Sequence, residues 1–185
     1  INTYMHDFLG FTWDQIDIVR EQYFKQYGTT LRGLQANHQV NMDEYLAFVH
    51  NIPVHEYLLP DPRLRPALTS ITGRKYIFTN ADCAHADRVL KTLDLEGIFY
   101  GCIDVHVIYP HCKPMPEAFQ LALTAAGNPD PRVCVLLDDQ GRITRAARSL
   151  GMYTVLVGKD DPGYEADESL QSLADLPILM KNWRV

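Results

Sequence analysis

The sequence predicts an α/β protein: a parallel sheet covered by helices, with a run of short helices ahead of it. Three observations carry that prediction. Tyr76-Ile77-Phe78 is an apolar run that stops on Thr79-Asn80, as a parallel strand does when it delivers polar groups to a ligand at its carboxyl end. Val133-Cys134-Val135-Leu136-Leu137 is apolar throughout and stops on Asp138-Asp139. Between and after these runs, strand and helix patterns alternate, which is how parallel strands joined by crossover helices read.

The first 58 residues carry helical periods and little strand signal. Tyr4, Phe8 and Leu9 share one face. Thr12 is placed to cap a second helix in which Ile16, Val19, Tyr23 and Phe24 repeat, and Gly28 ends it. Leu31 and Leu34 belong to a third, short helix, and Asn41 caps a fourth with Tyr45, Leu46 and Val49 inward. Pro60-Asp61-Pro62 then punctuates the chain. The expected organisation is a helical unit over 1–58 and an α/β unit over 59–185. Within the second unit, strands are expected over 75–78, 102–107, 133–137 and 154–157, with those ending at Phe78, Leu137 and Val157 in one sheet. Helices are expected over 64–70, 84–93, 116–126, 143–150 and 169–173; Pro116 and Gly127 bracket the third of these.

Composition narrows the function. With 46% hydrophobic residues in 185, the chain can bury a real core. Its net charge is −6 and it holds no basic block, which argues against a nucleic-acid backbone as partner. No stretch approaches the length of a membrane span. Cys83, Cys102, Cys112 and Cys134 show no CxxC spacing, so reduced thiols in a cytoplasmic protein are expected. The seven histidines offer no pair at helical spacing with an acidic partner, no G-x-S-x-G elbow is present and no glycine-rich phosphate loop.

What remains is a phosphate-and-metal pattern. Thr79 and Asn80 can bond phosphate oxygens, although a structural turn explains them as well. Lys113, braced by Pro114, is a point charge for an anion, although most lysines are solvated. Asp138 and Asp139 carry more weight, because adjacent carboxylates after an apolar strand are costly without a cation. An oxygen-only site of that kind suits Mg²⁺. Asp139 as the cap of the following helix is the rival for that residue alone.

The order Thr79, Lys113, Asp138-Asp139 resembles motifs two, three and four of the haloacid dehalogenase (HAD) superfamily. Tyr27-Gly28-Thr29-Thr30-Leu31-Arg32-Gly33-Leu34, Pro60-Asp61-Pro62, Tyr76 to Asp82 and Cys112-Lys113-Pro114 look like its pyrimidine 5′-nucleotidase branch. The similarity runs from Ile1 to about Gly158. It implies a Rossmann-like core with a helical cap and Mg²⁺-dependent hydrolysis of a nucleoside 5′-monophosphate through an aspartyl-phosphate. Thr79 would hold the transferring phosphoryl group, with Asn80 beside it. Lys113 would neutralise charge, and Asp138 and Asp139 would hold Mg²⁺. Tyr27, Arg32 and His38 on the cap would face the leaving group.

Two departures from the family pattern stand out. Its motif one, Asp-x-Asp on a first strand, has no counterpart ahead of the helices, where only Ile1 stands; the expectation is a chain cut from a longer protein and inactive as it is. Motif four usually continues with a Ser and then an Asn, where this chain has Gln140 and Ile143. A non-catalytic relative that binds a phosphate ligand or a partner, and a hydrolase of another small phosphate ester or of a haloacid, are the alternatives.

Overall fold

The computed structural model describes residues 1–158 and 165–180. The chain begins with four helices, α1 (Asn2–Leu9), α2 (Trp13–Tyr27), α3 (Thr30–His38) and α4 (Met42–Val49). Local chemistry sets their ends. The Thr12 amide donates to Gln15 Oε1, the Thr29 hydroxyl accepts from the Arg32 amide, and the Asn41 carboxamide accepts from the amides of Asp43 and Glu44. Met5, Ile16 and Leu34 form the fully buried centre of this unit, with Tyr4, Tyr23, Leu31, Tyr45 and Leu46 around them. Gly33 lets α2 and α3 approach, since a Cβ there would overlap the Tyr23 ring.

Two short helices, α5 (Val54–Tyr57) and α6 (Leu64–Thr69), lead into the sheet region. There the order is β1 (Tyr76–Phe78), α7 (Cys83–Thr92), β2 (Gly101–Ile103), α8 (Pro116–Ala125), β3 (Val135–Asp138), α9 (Gly141–Ser149), β4 (Tyr153–Val157), β5 (Glu168–Leu170) and α10 (Leu176–Met180). All strand pairs are parallel. This is the parallel α/β architecture that the alternating pattern predicts, and it is Rossmann-like, as the resemblance implies.

The strands form two sheets, β1-β2 and β3-β4-β5. This corrects the expectation that β1, β3 and β4 share one sheet. No ladder joins β1 to β3 among the described residues, so each keeps one unpaired side. Phe78 still ties the sheets together, packing against the cluster of Ile103 and Ile108 on one side and against that of Phe119, which Leu136 of β3 also joins, on the other.

Three further expectations are corrected. Residues 169–173 begin in strand β5, not a helix, and the chain turns helical only from Leu173. The strand expected over 102–107 ends at Ile103. There the Asp104 carboxylate takes up the amides of Cys83, His106 and Val107, which removes them from any ladder. Cys83 and Cys102 are disulfide-bonded rather than reduced, because the first turn of α7 sits against β2 with the two Cα atoms 5.9 Å apart. Cys112 and Cys134 are free. No helix among the described residues is long and apolar enough to cross a membrane.

Candidate active site at the carboxyl ends of β1 and β3

The site starts where β1 and β3 stop. Lys113 is 7% exposed. Its ammonium donates to the Phe78 carbonyl at the end of β1 (2.8 Å) and to Asp138 Oδ2 at the end of β3 (2.7 Å). It also lies 5.0 Å from the centre of the Phe78 ring. Asn80 fixes the backbone that carries this lysine. Its Oδ1 accepts from the Lys113 amide at 2.8 Å and its Nδ2 donates to the Lys113 carbonyl at 3.0 Å. A carboxamide used at both ends in this way locks a loop as a strand partner would. The Thr79 amide donates to the Ile103 carbonyl, and its hydroxyl accepts from the Ala81 amide at 3.0 Å.

Asp138 is engaged at both oxygens, by Lys113 and by the Gln140 amide. Asp139 follows it on the exposed side. The cap of α9 is Gln140, so the rival reading of Asp139 as helix cap does not apply. Two adjacent carboxylates are suitable hard oxygen donors for Mg²⁺. They are only part of a coordination shell, and no cluster of three or more His, Cys, Asp or Glu that could hold a metal is found among the described residues.

The cap residues distribute differently. The Tyr27 carbonyl accepts from Cys112 Sγ at 3.3 Å, next to Lys113, while its hydroxyl accepts from Asn37. Gly28, with φ 83°, turns the chain so closely over the Cys112–Pro114 loop that a Cβ there would stand 2.8 Å from Cys112 Sγ. Arg32 is buried. Its Nη2 donates to the carbonyls of Val105 and His111, and Nη1 to Gln35, so its fork ties cap to core. Arg32 Nε has no hydrogen-bond partner. Burial holds the Arg32 guanidinium below its ordinary pKa. His38 sits at the far end of α3, hydrogen-bonded to the Tyr23 hydroxyl at 2.8 Å and edge-on to Phe11. Thr79, Asn80, Lys113 and Asp138 are therefore brought together, Tyr27 reaches them through its backbone, and His38 packs within the cap.

Sequence reasoning missed Arg142. It donates to Gln140 Oε1 and to the Gly28 carbonyl, and its guanidinium lies 3.7 Å from the centre of the Phe24 ring. An isolated arginine in a helical pattern carries no signal for a partner 114 residues away. The sequence also missed the pairing of His50 Nδ1 with Asp82 Oδ2 (2.7 Å), which joins the end of α4 to the start of α7.

A buried ammonium, a strand-end hydroxyl and paired carboxylates at one edge can bind an anion and share its charge with a cation. Comparison with known proteins speaks at the level of family. Phosphate metabolism protein 8 of Saccharomyces cerevisiae (strain ATCC 204508 / S288c) is 31% identical to the chain, over 93% of the chain and 62% of that protein. The chain thus spans somewhat under two thirds of that relative's length. Among solved structures, the L-2-haloacid dehalogenase of Xanthobacter autotrophicus with chloropropionic acid covalently bound superposes with a TM-score of 0.63 at 15% identity, covering 91% of this chain and 82% of that one. A predicted phosphoglycolate phosphatase from Haemophilus somnus 129pt gives a TM-score of 0.55 at 18% identity, covering 64% and 56%. These two likenesses speak for the fold. Residues 4–151 match the haloacid dehalogenase-like hydrolases as a family, and the chain belongs to that family.

Proposed function

We propose that the protein is a Mg²⁺-dependent phosphatase of the pyrimidine 5′-nucleotidase kind, hydrolysing a nucleoside 5′-monophosphate through an aspartyl-phosphate. The observation that carries this reading is Lys113, whose ammonium bridges the end of β1 and the end of β3. In that position it can offset the charge of a phosphoryl group and of a carboxylate attacking it. Thr79 and Asn80 lie on the same edge for the phosphate oxygens, and Asp138 and Asp139 are the carboxylates for the cation. The cap residues Tyr27, Arg32 and His38 enter this proposal as the side facing the leaving group. Of the three, Tyr27 has the most support, because its backbone touches the Lys113 loop.

Asp82 and Asp104, the carboxylates beyond the ends of β1 and β2, are held by other partners: Asp82 by His50 and the His85 amide, Asp104 by the amides of Cys83, His106 and Val107. We propose that the attacking aspartate and the acid for the leaving oxygen both come from an Asp-x-Asp strand outside residues 1–185, seated between β1 and β3. The unpaired sides of these two strands support that reading. The 185-residue chain would then be inactive. A cytoplasmic location belongs to the same proposal, and it makes a demand on Cys83 and Cys102: in a reducing compartment they would stand as a dithiol.

The test compares the 185-residue chain with the full-length protein on UMP and CMP across a Mg²⁺ titration. Turnover by the long form alone is expected. Equal turnover by the short form would place the nucleophile within these residues. Asp139→Asn in the full-length protein should move the Mg²⁺ midpoint upward, because it removes a hard anionic oxygen from the cation. An unchanged midpoint would remove Asp139 from the metal shell.

A further inference from the structure

The carboxylate loop of this chain is braced through Gln140 and Arg142. Gln140 and Ile143 stand where the family pattern has a Ser and an Asn. Ile143 is buried in the apolar cluster of Phe119, Ala147 and Met152, so it has no polar function. Gln140 is occupied at both ends. Its amide donates to Asp138 Oδ1 at 3.0 Å, and its side-chain oxygen accepts from Arg142 Nε at 3.0 Å. Arg142 then leaves the loop altogether. Its Nη2 donates to the Gly28 carbonyl at 3.2 Å, and its plane covers the Phe24 ring at 3.7 Å. Phe24 and Gly28 are the last turn and the stop of α2. A guanidinium is suited to this double task, because its donors are fixed in one plane whose face stays free to stack.

The α2–α3 turn that Arg142 holds is the same turn that covers the lysine loop. Cys112 Sγ donates to the Tyr27 carbonyl, and Gly28 lies directly against Cys112. Cys112 is 1% exposed and precedes Lys113. The turn therefore rests on two loops at once, one carrying Lys113 and one carrying Asp138.

We infer that Arg142, held by Gln140, is a positioning residue: it clasps the α2–α3 turn of the cap to the Asp138 loop, and so keeps the cap seated over the Lys113 loop. Its contribution to turnover rests on the phosphatase reading above, but the clasp itself does not. Arg142 touches none of the atoms proposed to react. It acts through the turn, as a brace from loop to cap.

Two measurements in the full-length protein separate the clasp from the phosphatase reading. The first needs no activity. N-ethylmaleimide labelling of Cys112 under native conditions is followed by mass spectrometry at that residue, alongside amide exchange at Ile16 and Leu34 in the buried centre of the helices. Arg142→Ala should speed Cys112 labelling by about tenfold, the effect of one lost charged hydrogen bond on a local opening, with the core amides unchanged. Gln140→Ser, a milder change, should raise labelling by a smaller factor. Arg142→Lys should behave like Arg142→Ala, because an ammonium cannot fork between Gln140 and Gly28 while stacking on Phe24. Unchanged labelling in Arg142→Ala would overturn the clasp. So would labelling that rises together with exchange at Ile16 and Leu34, since that pattern is general destabilisation.

The second measurement applies where the full-length protein hydrolyses nucleotides. Arg142→Ala should lower kcat/KM for UMP by about tenfold and leave p-nitrophenyl phosphate, whose leaving group asks little of a cap, within a factor of about two. Equal losses on both substrates would overturn a role through the cap. Absence of nucleotide turnover in the unmutated protein would sink the phosphatase reading and leave the labelling result standing.

Discussion

In the helical half of the chain, Met5, Ile16 and Leu34 are each 0% exposed; in the sheet half, burial of that order along a strand is confined to β4, where Thr154, Val155 and Leu156 are 0–1% exposed. The contrast follows from where the backbone finds its partners. A helix satisfies its amides and carbonyls within itself, so α1 to α4 need only bring apolar faces together to close a core. A strand depends on its neighbours. β4 has one on each side, whereas β1 and β3 each have one, and Val135 at the start of β3 is 36% exposed. What joins these two strands is a side chain, Lys113, together with the shared packing of Phe78.

Substitutions chosen from the two halves break or sharpen this contrast. The largest effect is expected in the closed core. Leu34→Ala should destabilise the protein by about 3–4 kcal/mol, the range for a leucine removed from a site that cannot collapse, while Val135→Ala should lose less than about 1 kcal/mol. Urea unfolding of both variants gives the comparison, and similar losses would mean that the β3 edge is as well covered as the helical centre.

The next effect concerns the bridge between the sheets. Lys113→Met leaves Asp138, whose side chain is 7% exposed, without its cation, and about 3 kcal/mol should be lost. Adding Asp138→Asn should recover part of that loss, because the stranded charge is gone. A double variant no more stable than Lys113→Met alone would show that the charge of Asp138 was being met elsewhere.

The smallest effect lies on the seam between the halves. His106 on the core side accepts its raised pKa first from its hydrogen bond to Asp43 of α4, against burial, with Asp104 adding to it. A histidine with a raised folded pKa contributes its stability fully below its unfolded value of about 6.5 and loses it as pH rises through the folded pKa. Since the His106 side chain is 43% exposed, screening limits the contribution to a few tenths of a kcal/mol. The stability lost on His106→Gln should thus be greater at pH 5.5 than at pH 8.5. Equal losses at both values would remove the Asp43 contact from the seam.

Much of this architecture was legible in the sequence. The strand ending at Phe78, the run ending at Leu137 and the helix opened by Pro116 all declare themselves through apolar period and end chemistry, and the structure has each within a residue or two. β5 did not, since Glu168-Ser169-Leu170 is no apolar run like Tyr76-Ile77-Phe78 and its place is set by β4 beside it. Thr79 and Asp138 could be named from their strand ends, and Lys113 from its place between them in the order of the motifs. Their mutual geometry could not, because it rests on Asn80 clamping a loop 33 residues away. Arg32 and Arg142 illustrate the same limit. Each is an ordinary basic residue in a helical pattern until the fold brings up a carbonyl from a distant turn. The Cys83–Cys102 pair likewise has no spacing signature and becomes visible only when α7 lies on β2.

Val105 gives the two halves a common fate. It follows β2, yet it is 1% exposed within the cluster of Tyr4, Met5 and Leu34, so the α/β half supplies a wall of the helical half. The Val105 amide is held by the Ala81 carbonyl and its own carbonyl by Arg32, which fixes it from both sides. A cap released by cleavage near residue 58 would carry a pit the size of that side chain, and the remaining α/β half would present a bare valine to water. Cap and core therefore share one wall, and parting them uncovers apolar surface on both sides.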